Sequence, residues 1–132
     1  MELAGKTALI TGSGVRLGKA ISKALAENGC QLALHYNSSS EGAVEIRTYA
    51  QSLGIKAITY QADLSKPDEL RAFFQVCSAD FGHVDILINN AAIYLPGKGM
   101  DTTSDILEKQ FRLNLFAPVL LIREFAAQIP ED

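Results

Sequence analysis

Short β-rich runs alternate with segments of helical period along this chain, and that alternation narrows the available folds more than any other feature. The run "KTALIT" precedes Leu17, Ala20, Ile21, Ala24 and Leu25 at helical spacing, and "QLALHY" precedes Ala43, Ile46, Ala50 and Leu53. A third run, "KAITYQA", leads to a helix whose predicted apolar face is Leu70, Phe73, Phe74, Cys77 and Phe81. Ser65 and Asp68 are spaced as a capping box at its start. The fourth run is "VDILIN". After the loop "AIYLPGKGMD", a long helical segment begins near Thr102 and carries Ile106, Phe111, Leu115, Val119, Ile122 and Phe125. Strand–helix–strand repetition demands an α/β fold with a parallel sheet, right-handed crossovers and helices on both faces. In such sheets ligands bind beyond the carboxyl ends of the strands. The ends at Thr11-Gly12, Tyr36-Asn37, Ala62-Asp63 and Asn89-Asn90 therefore define one candidate rim.

The 132 residues, 48% hydrophobic and 20% charged, suit a single globular domain spanning 1–132. A net charge of -3 with both signs interspersed leaves no basic stripe for nucleic acid and no polybasic patch for a membrane. The start "MELAGKTALI" lacks a charged leader followed by a long apolar stretch, and no apolar run reaches bilayer-spanning length, so a cytoplasmic location is expected. Cys30 and Cys77 match no CxxC or zinc spacing, and each falls in an apolar segment; both read as buried thiols, and no metal site is expected.

The stretch "LITGSGVRLGKA" runs from strand through glycine turn into helix. It is not a P-loop: Ser13 stands in place of the first glycine and Ala20 in place of the magnesium-holding hydroxyl. It is not a strict GxGxxG either, because Gly12 and Gly14 are followed by Gly18 one position late. The spacing present is Thr-Gly-x-x-x-Arg-x-Gly, from Thr11 to Gly18. Gly12 permits a tight turn, small residues let a diphosphate approach the backbone, and the helix start offers free N–H groups at its positive end.

The motifs "TGSGVRLG", "ADLS", "NNAA" and "NLFAP", in this order over nearly the whole chain, resemble the amino-terminal half of a short-chain dehydrogenase/reductase. Arg16, where most of that family has glycine, and "LHYNSSS" are similar to its pteridine-reductase branch. The resemblance implies a Rossmann-type fold, here its first four strands with their helices. It implies that Gly12, Ser13, Arg16, Leu17 and Gly18 line a pyrophosphate and adenosine ribose, that Ala62, Asp63 and Leu64 hold an adenine ring, and that Asn90, Ala91 and Ala92 pass the nicotinamide-side ribose.

Preference between NAD and NADP is set at the end of the second strand, where a carboxylate usually accepts from the ribose 2′-hydroxyl of NAD. None stands there. His35, Tyr36, Asn37, Ser38, Ser39 and Ser40 offer neutral groups instead, with Arg16 approaching from the first turn, which suits a 2′-phosphate and predicts NADP. For its side chain, His35 also reads as packing or hydrogen bonding at a strand end, and His83 as an exposed turn residue.

In the resembled family a Tyr-x-x-x-Lys pair and a serine transfer the proton, from a carboxy-terminal half that lies beyond Asp132. Tyr94 and Lys98 match the spacing, but Pro96-Gly97 between them breaks the helix the pair needs. One family catalytic position is matched, Asn114, which by resemblance helps position a water that links the lysine to solvent. The expectation is therefore the cofactor half of an NADP-dependent oxidoreductase acting on a small carbonyl or pterin-like substrate, inactive by itself. The alternative is a dinucleotide-binding scaffold without turnover. By resemblance, the fourth strand's free edge and the last helix's apolar face are covered in a homo-oligomer or by further chain.

Overall fold

In the structure, a computed structural model that describes residues 2–129, every predicted strand run forms a strand. The elements are β1 (Thr7–Ile10), α1 (Arg16–Glu27), β2 (Gln31–Tyr36), α2 (Glu41–Ser52), β3 (Ala57–Gln61), α3 (Pro67–Phe81), β4 (Ile86–Ile88), α4 (Ser104–Phe111) and α5 (Ala117–Ala126). All neighbouring strands pair in parallel in the order β3-β2-β1-β4, so the chain reverses direction across the sheet between β1 and β4. That reversal opens a crevice at the carboxyl end of β1.

Strand alternation divides the core in two. Ala8 and Ile10 of β1 and Leu32 and Leu34 of β2 pack with Ala26 of α1 and Ile46 and Ala50 of α2. Leu9 and Ala33 point the other way, onto Leu70, Phe73, Phe74 and Cys77 of α3 and Ala117 and Leu121 of α5. Both faces of β1 and β2 are thereby covered, which is why these strands read as near-continuous apolar runs. Cys30 and Cys77 are free and buried. No described helix is long and apolar enough to cross a membrane.

Three local expectations are corrected. The face that α1 buries is Gly18, Ser22 and Ala26, whereas Leu17 is 65% exposed. A helix laid tightly against a glycine turn selects its smallest residues for the contact. The Ser65–Asp68 capping box does not form. Lys66 precedes the first turn without a side-chain cap and Pro67 opens α3, while Ser65 donates both its N–H and its hydroxyl to the Asp63 carboxylate. The long final helix begins at Ser104, capped by the Thr103 hydroxyl, and is interrupted by a π turn over Arg112–Phe116. Its predicted apolar stripe is largely open: Phe111, Leu115, Val119 and Ile122 are each about half exposed, and only Ala117 and Leu121 are buried.

Candidate functional site

The β1–α1 turn is built for backbone approach. Gly12 has φ +62°, a left-handed conformation that favours glycine, and a Cβ there would crowd Ala91 and Asn90 at 3.2 Å. Arg16, the first residue of α1, has φ +45°, an uncommon conformation for a residue with a side chain. Val15 precedes α1 without any side-chain cap, and no acidic residue occupies the first turn. The free amides of α1 therefore retain their partial positive charge and their capacity to bind an anion.

The end of β4 fastens this turn from beside. Thr11 Oγ1 accepts from the N–H of Asn90 and of Ala91, and donates to the Ile88 carbonyl. The Asn90 amide donates to the carbonyls of Thr11 and Gly12, both at 3.0 Å. Gly18 lies directly behind. A methyl group on it would overlap the Gly12 carbonyl oxygen and lie 2.5 Å from Asn90 Nδ2, so α1 can seat against the turn only with glycine here.

The end of β2 fastens the turn from the other side. The His35 carbonyl accepts from both the N–H and the hydroxyl of Ser13, while His35 Nδ1 accepts from the Gly12 N–H and Nε2 donates to the Ala62 carbonyl at the end of β3. His35 is 2% exposed, and burial lowers the pKa of its imidazole. At the start of α2, Gly42 packs its bare Cα against the Gly14 carbonyl, holding the Asn37–Ser40 loop close to the turn.

These contacts gather the strand ends along one rim and leave a cleft of about 640 Å³. Of the predicted residues, Gly12, Arg16, Leu17, His35, Tyr36, Asn37, Ser38, Ser39, Leu64, Asn90, Ala91 and Ala92 line it. Arg16 pairs with no carboxylate among the described residues.

Six predicted residues lie outside the lining, among them Ser40, which immediately precedes α2. Ser13 and Gly18 are buried behind the turn, and Ala62 presents its carbonyl to His35. Asp63 has its carboxylate turned to Ser65 and Lys66, and the Ser65 hydroxyl above all holds its pKa below the usual range. Asn114, in the π turn, accepts from the Ile93 N–H and donates to the Ile93 carbonyl, pinning the loop after β4. Gly14, Val15, Ile93 and Leu113 join the lining without having been predicted. The glycine turn could have flagged the first two; nothing local marks Ile93 or Leu113. Tyr94 and Lys98 lie in irregular backbone outside any helix, with Tyr94 79% exposed. Among the described residues no cluster of His, Cys, Asp or Glu is placed to hold a metal ion.

The sequence profile of the short chain dehydrogenase family matches residues 6–132. Among curated proteins, a versicolorin reductase of Emericella nidulans is 35% identical over 123 residues, which is 93% of this chain and 47% of that protein. A tetrahydroxynaphthalene reductase of Pestalotiopsis fici is 35% identical over 111 residues, 84% of this chain and 40% of that protein. A short-chain dehydrogenase of Burkholderia cenocepacia, solved in complex with NADP, superposes with a TM-score of 0.92 at 35% identity, covering 96% of this chain and 52% of that one. A blue fluorescent protein from a metagenomic library, solved in complex with NADPH, gives 0.92 at 32% identity, covering 98% and 53%. The chain thus spans about half the length of the relatives it matches. With strand order, turn geometry and sequence profile in agreement, this chain belongs to the short-chain dehydrogenase family.

Proposed function

We propose that the cleft binds NADP(H) and that these residues form the coenzyme-holding part of a short-chain reductase. The observation that carries this reading is the meeting of three features in one cleft: the uncapped start of α1, the Arg16 guanidinium, which pairs with no carboxylate among the described residues, and the neutral Asn37-Ser38-Ser39 loop. The diphosphate lies against the Gly12–Leu17 turn, beside the uncapped start of α1 and its free amides. Arg16 and the hydroxyls of Ser38 and Ser39 take the 2′-phosphate, and the absence of a carboxylate at the end of β2 spares it repulsion. Leu64 packs on the adenine, and Ala91 and Ala92 border the ribose next to the nicotinamide. That two similar solved structures are complexes with NADPH and NADP supports the choice of coenzyme.

The chemistry such a coenzyme supplies when bound is hydride transfer at a carbonyl or pterin-like ring. This chain's own residues bind and orient. Asn114 holds the Ile93 loop that closes the nicotinamide end of the cleft, and Tyr94 and Leu95 border the substrate. Arg16 and "LHYNSSS" support a pteridine-reductase-like substrate range. No tyrosine and lysine share a helix face at the cleft among the described residues, so residues 1–132 by themselves bind coenzyme without turnover; a non-catalytic binding role is favoured by that same observation. The half-exposed stripe of Phe111, Leu115, Val119 and Ile122 supports self-association or cover by further chain, in a cytoplasmic protein. Calorimetric titration with NADP+ and NAD+ tests the reading. Tighter binding of NADP+ supports it, equal or weaker binding removes the 2′-phosphate site, and binding of neither removes the coenzyme site.

A further inference from the structure

His35 holds the rim together through a single imidazole. Its ring packs 5.1 Å from Phe73 on the α3 side of the sheet and reaches the cleft wall. Its two nitrogens face groups of fixed polarity. The Gly12 N–H, 3.2 Å away, can only donate, so Nδ1 must carry a lone pair; the Ala62 carbonyl, 2.9 Å away, can only accept, so Nε2 must carry the hydrogen. Only the neutral Nε2–H tautomer satisfies both. The Gly12 amide belongs to the left-handed residue that shapes the phosphate turn, and its neighbour Ser13 is tied to the carbonyl of the same histidine.

We propose that neutral His35 is the positioning residue of the coenzyme site: it fixes the Gly12 turn through Nδ1, and its protonation releases that turn and weakens dinucleotide binding in acid. The proposal rests on the coenzyme reading above. Protonation would set an N–H against the Gly12 N–H at a buried imidazole, and the turn must move to separate the two donors. Burial lowers the imidazole's pKa and so keeps the neutral form at neutral pH. The groups facing the ring add no charge. α3 presents Phe73; the other titratable side chains on this face of the sheet, Tyr60 of β3 and Cys77 of α3, are held protonated and neutral by burial; and Asp63 turns its carboxylate to Ser65 and Lys66. The Arg16 guanidinium of α1 borders the same cleft. A Coulomb attraction between imidazolium and phosphate would act in the opposite sense, tightening binding in acid, so the direction of the pH effect decides between the two.

The test uses NADP+, which withstands acid, titrated calorimetrically at pH 7.5 and 5.5 into the wild-type chain and two variants. His35→Asn keeps an acceptor near the Nδ1 position and does not titrate; His35→Gln places its amide near Nε2 and leaves Gly12 without an acceptor. The wild type should lose affinity between pH 7.5 and 5.5 beyond the Asn variant's own pH change, by severalfold and by no more than about tenfold because the buried imidazole titrates below its usual range, a comparison that cancels titration of the ligand's 2′-phosphate. At pH 7.5 the Gln variant should bind about tenfold more weakly than the Asn variant, because only the Asn variant returns an acceptor to the Gly12 N–H. Thermal unfolding of each variant, and the ¹⁵N shifts of the wild-type imidazole in the free protein, check folding and tautomer independently of ligand. Identical pH profiles in wild type and Asn variant, tighter wild-type binding in acid, or an Nδ1–H tautomer would overturn the role of His35 while leaving the coenzyme reading intact. Binding of neither NADP+ nor NAD+ at pH 7.5 by a folded wild-type chain would overturn both.

Discussion

Replacing Gly18 by alanine adds one methyl group to the first turn of α1, and helix propensity alone favours the change by about 1 kcal/mol. The surroundings oppose it. The new Cβ would overlap the Gly12 carbonyl oxygen and sit 2.5 Å from Asn90 Nδ2, and the first of these is backbone that cannot rotate away. Overpacking of this kind costs about 1–3 kcal/mol, and the upper end applies where no flexible side chain can yield. Displacing Asn90 would also weaken its two hydrogen bonds to Thr11 and Gly12, about 1 kcal/mol each. Net destabilisation is therefore about 2–4 kcal/mol, or a fall in melting temperature of roughly 10 °C for a chain of this length. Denaturant and thermal unfolding of Gly18→Ala beside wild type measure it directly, and coenzyme titration should show weakened binding because the displaced atoms shape the phosphate turn. A variant as stable as wild type would refute the claim that α1 docks against the turn through Gly18.

Further substitutions probe the rim and the sheet separately. Arg16→Ala should weaken NADPH by roughly ten- to hundredfold, the worth of a charge-assisted contact, and NADH by less than about threefold; equal losses in fluorescence titrations would remove Arg16 from the 2′-phosphate site. Arg16→Gly should relieve the strained φ of +45° and hold or raise thermal stability by up to about 1 kcal/mol while losing the same NADPH affinity. Thr11→Val leaves the Ala91 N–H without its acceptor and should cost about 1–3 kcal/mol in urea unfolding. Asp85, whose pKa is lowered chiefly by the Thr7 N–H and then by Lys6, stabilises the fold above the unfolded carboxylate value of about 3.9, and that contribution is lost as pH falls through its lower folded value; Asp85→Asn should therefore unfold earlier than wild type at pH 6 and converge with it near pH 2. His35 acts with the same sign one range higher. Its folded pKa lies below the unfolded value of about 6.5, the unfolded chain binds the extra proton, and stability measured by urea titration should decline as pH drops below that value, a decline absent from His35→Asn.

The alternation of "KTALIT", "QLALHY", "KAITYQA" and "VDILIN" with helical segments was enough to specify a parallel sheet whose strand ends share one rim, because side-chain period and strand–crossover handedness are local properties of the chain. "TGSGVRLG" and "NNAA" likewise announced a turn and its neighbour. Which groups in those motifs face a ligand and which hold the rim together was not legible locally. Ser13 and Gly18 read as ligand contacts and are packed behind the turn; Asn114 read by resemblance as a water-positioning catalytic residue, and its side chain pins Ile93, 21 positions away. Leu17, which read both as part of the helical apolar series and as a cofactor-lining residue, stands 65% exposed at the cleft, because the close approach of α1 admits only Gly18, Ser22 and Ala26. The tie between His35 and Gly12 joins residues 23 apart, and that between Asn90 and Thr11 residues 79 apart. Such partners exist only after β1 has registered between β2 and β4. Period and propensity act within a few residues, whereas the donors and acceptors of this site are supplied by segments brought together by the sheet, and that is the part the tertiary structure alone decided.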